Sequence, residues 1–292
     1  MNLSLNPTEE DSVNIVHATH LIQDSTKVAT FLKNSGFEIL ELIEVSDDRN
    51  THCCQISLNG SYISFEKRNN SDLQELFDSA LTGFGLGTKD IESTQGRLTL
   101  HGFHPLSIKE RRLLFPVTEK EQREIACKIF KLKKSDVLEG DVEFLDVNTS
   151  TKSSAKSAHK NALSHFHAII LCTNKPEETI ARCCWLTNQS SPRRIFGSSW
   201  QVGLDQQKII VCSEEDVERI VPSVNVSNLP SILGYALLTE SLSKTKDCFS
   251  HNELVLQSLN QGSFLVKLPE FISGNLIIGT SAADFPWNGD FN

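Results

Sequence analysis

Two histidines separated by one residue project from the same face of a β-strand, so His165 and His167 can form a chelating or an acid–base pair, provided that His165 lies within the strand. The competing reading places His165 before the strand, in water. His17 and His20 are three apart, which on a regular strand sends them to opposite faces, so they are not read as a chelate; one of them reads as a hydrogen-bonded core histidine. Gly83, Gly85 and Gly87 strip one strand face of side chains, which lets a ligand or another backbone approach closely. Gly83 and Gly85 are read as the floor of a ligand cleft, with close sheet packing as the equal alternative. The third glycine comes too early for a dinucleotide fingerprint, and no phosphate-loop lysine follows. His52 beside Cys53 and Cys54 has the composition of a Cys–His nucleophile, but Glu44, Asp47 and Asp48 oppose a thiolate there; His52 is placed at the cleft mouth instead. Arg193 and Arg194 can pair with an anionic substrate or stand in solvent. Hydrolase elbows, phosphate loops and calcium loops are absent from the sequence.

These residues fall on a recurring pattern. Val13 to Ile22 is rich in strand formers, Asp24 can cap a helix, Val28, Ala29, Phe31 and Leu32 share one helix face, and Gly36–Phe37 ends the helix and opens a strand. Cys54–Leu58 and Tyr62–Phe65, separated by Asn59 and Gly60, complete a βαβββ unit. A second copy starts at Phe84–Thr88 with Asp90 and Gly102–Phe103; Asp to Gly is twelve residues in both (36 minus 24, 102 minus 90). A third runs from His167–Cys172 through Pro176, and a fourth from Leu233–Thr239 through Ser241. With Lys175 and Ser241 as caps, 90 minus 24 and 241 minus 175 both give 66, and each cap of the first half lies 151 before its counterpart.

His17 with Asp24, Leu32 through Gly36–Phe37, and Gly83–Gly87 with Asp90 resemble the opening segments of glyoxalase-like modules of the vicinal-oxygen-chelate superfamily, across residues 13 to 281. The resemblance implies an α+β fold of four tandem βαβββ modules forming two paired-module domains, each with sheets around a cleft. It also implies a divalent ion, Zn, Fe, Ni or Co, held by side chains of first and last module strands. His17 stands at the first-strand ligand position; Ser64 aligns with the carboxylate position, and Glu66 lies two residues further on the same face. The equivalent first-strand residues in modules two and four are Gly83 and Gly234, which cannot coordinate through a side chain. In module three, counting from Lys175 gives Ala168 and counting from Asn174 gives His167. His17, Glu66 and His167 are therefore the metal candidates, and Gly83, Gly85, His52 and Ser64 the cleft candidates. His159–Lys160–Asn161 is similar to a stretch preceding the third module in some such proteins, with lysine for proline, but is read as linker.

The expected layout is an N-terminal tail over 1–12, modules one and two over 13–147, a Ser/Thr/Lys-rich linker over 148–161, modules three and four over 162–283, and a loosely docked tail over 284–292. A net charge of -9 excludes a general phosphate-backbone binder, and Lys109, Arg111 and Arg112 read as solvated surface. Eight cysteines without Cys-x-x-Cys spacing read as buried thiols of a cytoplasmic protein, with neither signal peptide nor membrane span. Two functions follow: a metal-assisted lyase, isomerase or ring-cleaving oxygenase, or a metal-free protein that binds or sequesters a small molecule. A homodimer is allowed for, and a scaffold for another protein is the third reading.

Overall fold

Capping residues start the helices where the repeat places them. The Asp24 side chain accepts the Lys27 amide at 2.9 Å, Asp90 accepts that of Ser93 at 2.9 Å, and Ser241 that of Lys244 at 3.4 Å. The third helix has Pro176 at its first turn and no side-chain cap. The computed structural model describes residues 14–45, 50–67, 79–116, 122–146, 159–252 apart from 225 and 227, and 254–288 apart from 260 and 261.

Module one comprises β1 (Asn14–Ile22), α1 (Ser25–Asn34), β2 (Leu40–Val45), β3 (Asn50–Leu58) and β4 (Ser61–Lys67). Module two comprises β5 (Ala80–Thr88), α2 (Ile91–Leu100), β6 (Lys109–Pro116), β7 (Gln122–Lys131) and β8 (Asp141–Asp146). Module three comprises β9 (Leu163–Thr173), α3 (Pro176–Thr187), β10 (Arg193–Phe196), β11 (Ser199–Leu204) and β12 (Gln207–Ser213), followed by the one-turn helix α4 (Val217–Ile220). Module four comprises β13 (Ser231–Thr239), α5 (Leu242–Ser250), β14 (Leu256–Ser258), β15 (Phe264–Lys267) and β16 (Asn275–Gly279). The mixed α/β fold of four βαβββ modules is thus present, and neighbouring modules pair.

A repeated detail reinforces the 66- and 151-residue offsets. Thr88 and Thr94 hydroxyls meet at 2.7 Å, as do Thr239 and Thr245, and Thr179 donates to Thr173 at 3.4 Å. Each pair ties the end of a module's first strand to its helix; Ile22 and Val28 stand at these positions in module one and are buried apolar residues.

The pairs differ in closure. In the N-terminal half the order β1-β4-β3-β2-β6-β7-β8-β5 closes into a barrel, because β2 and β6 pair through Ile43↔Leu114, Glu44↔Leu113 and Val45↔Arg112. The expected cleft is therefore a barrel interior here. In the C-terminal half the sheet stays open, in the order β10-β11-β12-β9-β13-β16-β15-β14. One continuous core joins the halves, formed by Val28 and Leu32 of α1, Ile91 and Leu98 of α2, Ile180 and Leu186 of α3, Phe249 of α5, and one face of each sheet.

Polar contacts fix the junction. The Gln207 side chain accepts the Ile15 amide at 2.6 Å and donates to its carbonyl at 3.0 Å. His159, expected in the linker, is buried: it accepts the Glu38 amide on Nδ1 at 3.0 Å and donates from Nε2 to the Ser57 carbonyl at 2.7 Å. Asn161 donates to the Ser35 carbonyl at 2.9 Å. So 159–161 is a structural joint, while 148–158, like the expected tail 1–12, lies outside the described residues. The other terminus also departs from expectation: Phe285 and Trp287 are each 0% exposed, packed on the open sheet's outer face with Ile170, Ile210, Ala236 and Ile277. Two aromatics spaced by two need apolar cover, and this face supplies it.

His20 is the core histidine of the first strand. It is fully buried between the halves, stacks on Phe65 at 5.0 Å, and its Nδ1 lies 3.2 Å from the Ile272 carbonyl, so Nδ1 donates and Nε2 accepts from the Tyr235 hydroxyl at 3.1 Å. Burial lowers its pKa from 6.5 to about 4, against the raising effect of the carbonyl contacts. The unfolded chain takes up this proton at a pH where the folded protein does not, so stability falls as pH drops from 6.5 through about 4, by about 3 kcal/mol in total. Urea midpoints at pH 7 and pH 5 should differ less in His20→Gln than in the parent; an unchanged difference would refute this role.

Candidate functional site

The barrel interior carries a buried ionic cluster. Alternation along β8 turns Val142 and Phe144 to the shared core and Glu143 and Leu145 inward, and β7 likewise turns Cys127 and Ile129 inward. Glu143 receives both prongs of the Arg111 guanidinium, Nη1 to Oε1 at 2.6 Å and Nη2 to Oε2 at 2.8 Å. His17 Nε2 lies 3.1 Å from Oε1, and Lys131 Nζ lies 3.6 Å from Oε2. His17, Arg111 and Glu143 are at most 9% exposed, whereas the Lys131 side chain is 53% exposed and links the cluster to solvent. Arg111, expected on the surface, is therefore an interior residue; strand alternation buries it while Arg112 and Glu110 pair outside at 2.7 Å.

Burial alone would raise the Glu143 carboxyl, but the Arg111 charge and the His17 hydrogen bond outweigh it and hold Glu143 well below the usual carboxylate range. An ionised Glu143 accepts from His17 Nε2, and the other ring nitrogen, Nδ1, is buried with no partner among the described residues. The imidazole stacks on Tyr62 at 4.8 Å and 16°, and burial pushes the Tyr62 phenol up. Ser64, buried, donates to Glu66 at 3.3 Å on the same wall.

The glycines have distinct tasks. A Cβ on Gly85 would collide with Cε1 and Nδ1 of His17, so this glycine makes room for the imidazole. A Cβ on Gly83 would meet the Asp141 carbonyl, and one on Gly234 the Asn275 carbonyl, so both mark close approach of first and last strands. His52 lies on β3 opposite Ile43, with its side chain outside the described residues.

The metal candidates are not assembled. His17 and His167 belong to different sheets: His17 faces the barrel interior, and His167 stacks on Phe285 at 4.7 Å against the C-terminal segment. His167 is the extra residue of a bulge between Phe166↔Leu237 and Ala168↔Ala236, and the cap at Lys175 makes Ala168 the counterpart of His17. Burial, then Lys208, lowers its pKa to about 4. His165 lies inside β9, half-buried and 3.2 Å from Asn59, and does not pair with His167. Among the described residues no group of three His, Cys, Asp or Glu side chains can hold a metal ion. His17 and Glu143 supply two donors where a catalytic site takes about three, and Glu143 already has a guanidinium on both oxygens. The residues present do not fit a resident divalent ion.

Glu143 and Arg111 were missed in the sequence although the repeat contains a signal for one of them. Ala18 pairs with Phe84, 66 residues later, so the two-fold relation between modules maps Thr19 onto Gly85, and Ser64 opposite Thr19 onto Glu143 opposite Gly85. The carboxylate sought in module one sits at the matching place in module two. All eight cysteines are free; six are buried as expected, whereas Cys184 and Cys248 are half-buried, and burial, then Glu41, raises Cys54, which opposes a nucleophile beside His52.

No family model and no curated protein matches the chain. Solved structures do resemble it. A hypothetical protein from Staphylococcus aureus matches with TM-score 0.63 at 9% identity over 91% of this chain and 98% of that one. A Mn(II)-bound glyoxalase from Novosphingobium aromaticivorans matches with TM-score 0.60 at 8% identity over 92% and 82%. A mutant 4-hydroxymandelate synthase from Streptomyces coelicolor matches with TM-score 0.58 at 10% identity over 93% and 94%. No helix among the described residues is long and apolar enough to cross a membrane. At such identities the likeness shows architecture, and the architecture is that of paired βαβββ glyoxalase-like modules.

Proposed function

We propose that the chain binds a small organic molecule bearing oxygen acceptors inside the N-terminal barrel, and that the C-terminal pair of modules serves as its support. The observation that carries this reading is the ionic cluster of His17, Arg111, Lys131 and Glu143 in a barrel interior otherwise packed with Val16, Cys127, Ile129 and Leu145. Charges are costly to bury, and an apolar filling would close the barrel at lower cost. Donors also outnumber acceptors there. The Lys131 ammonium has three, and its 3.6 Å contact with Glu143 engages at most one, so a carboxylate, enol or carbonyl oxygen is the complementary ligand group. The corresponding face of the other sheet is covered by Phe285, Trp287, Val217 and Ile220 of the same chain.

Access is favoured at the β2–β6 seam. Among the described residues three pairs close it, against seven at the β1–β5 junction, which favours it as the module boundary that opens at least cost. A screen of small oxygen-bearing molecules against the full chain, read by ligand-detected NMR, tests the reading. Hits should weaken tenfold or more in Lys131→Ala and in Tyr62→Leu, keep their affinity in Arg194→Ala, and be recovered chemically unaltered. Hits indifferent to both barrel variants would move binding elsewhere; conversion of a hit to product would replace binding with catalysis.

A further inference from the structure

We infer that Arg111 is the resident cation of the barrel, and that its guanidinium, fixed on Glu143 beside His17, keeps divalent metal ions out of that position. The spacing of the donors makes the point sharp. A metal bonded to an imidazole nitrogen and a carboxylate oxygen at about 2.1 Å each holds those atoms roughly 3.0–3.4 Å apart. His17 Nε2 and Glu143 Oε1 are 3.1 Å apart, so the pair is placed for joint coordination. What occupies the carboxylate instead is the planar fork at 2.6 and 2.8 Å, with the Lys131 ammonium beyond it. A doubly charged ion on Oε1 would stand within about 4 Å of the guanidinium, in a buried setting where like charges are poorly screened.

The neighbouring strand offers no relief. The His17 ring fills the space beside Gly85, and the Asp141 backbone fills that beside Gly83, so β5 can project no third ligand into the cluster. Guanidinium and carboxylate together form a self-sufficient pair that needs no metal to neutralise Glu143. The inference does not depend on whether the barrel binds an organic ligand.

Zinc titration of the full chain, counting only binding that His17→Ala removes, tests it. The parent and Arg111→Lys, which keeps the charge, should take up less than about one-tenth of an equivalent at His17. In Arg111→Met the carboxylate loses its countercharge, and zinc should now bind, more weakly than at a three-ligand site, to the two donors His17 and Glu143 with water completing its shell. If that variant folds poorly, zinc should restore its native circular dichroism and raise its melting temperature by several degrees, and should not do so when His17 is also replaced. One His17-dependent equivalent in the parent would overturn the inference. So would an Arg111→Met variant that neither binds zinc nor is rescued by it, since the guanidinium would then not be what excludes the metal.

Discussion

Arg111→Met is expected to lower the unfolding free energy by about 3–5 kcal/mol at neutral pH, because it leaves a buried carboxylate without its counter-ion. The side chains of Arg111 and Glu143 are each 9% exposed, so solvent screens the pair little. Replacing both, as Arg111→Met with Glu143→Leu, should recover most of the loss, since an apolar pair of similar volume also ends the desolvation cost. The pH dependence has a defined sign. The folded-state value of Glu143 is held below its ordinary 4.5, so its contribution is complete above that pH and is lost as pH falls through the depressed value. The parent and Arg111→Met should therefore differ most at neutral pH and converge in acid. Urea unfolding at pH 7 and near pH 3.5 measures both; a difference below about 1 kcal/mol at pH 7 would mean that Arg111 behaves as a surface arginine.

The fold was legible because its signals are local and repeat. Asp24, Asp90 and Ser241 each accept the amide three residues on, and a capping residue placed at a constant offset in several copies is hard to produce by chance. The site was less legible because its signals are relational. Glu143 is 79 residues after Ser64 while the helix caps differ by 66, so the longer β6–β8 region of module two hides the equivalence until strand pairing shows it. Arg111 stands between Glu110 and Arg112 in a charged run that reads as surface, and only knowledge of which strand face meets the barrel separates it from its neighbours. A single-residue bulge decided His167: it reverses the face expected from counting, and no residue type at 166–168 announces it.

Trp287→Ala should be the other strongly destabilising change, by about 3–5 kcal/mol, the usual cost of truncating a fully buried aromatic ring. A loosely docked tail, as the sequence suggested, would lose within about 0.5 kcal/mol. Trp287 is 0% exposed, lies 5.1 Å from Phe285 and 6.4 Å from His167, and is nearly parallel to both, at 4° and 8°. The segment is also tied down by polar contacts: Lys208 Nζ donates to Asn288 at 2.7 Å, and Asp284 accepts from the Thr280 hydroxyl at 2.7 Å. Removing the ring uncovers Ile170, Ile210 and Ile277, so binding of a hydrophobic dye should rise along with the loss of stability. The same variant separates the halves functionally. If the N-terminal barrel is the binding site and the other sheet its support, Trp287→Ala at a temperature where it stays folded should keep the affinity for barrel ligands within about twofold, whereas Lys131→Ala should lose affinity with little change in stability. A large loss of affinity in Trp287→Ala with no effect of Lys131→Ala would place the ligand on the open sheet, beneath the C-terminal aromatics, and the C-terminal segment would then be a cover over the site.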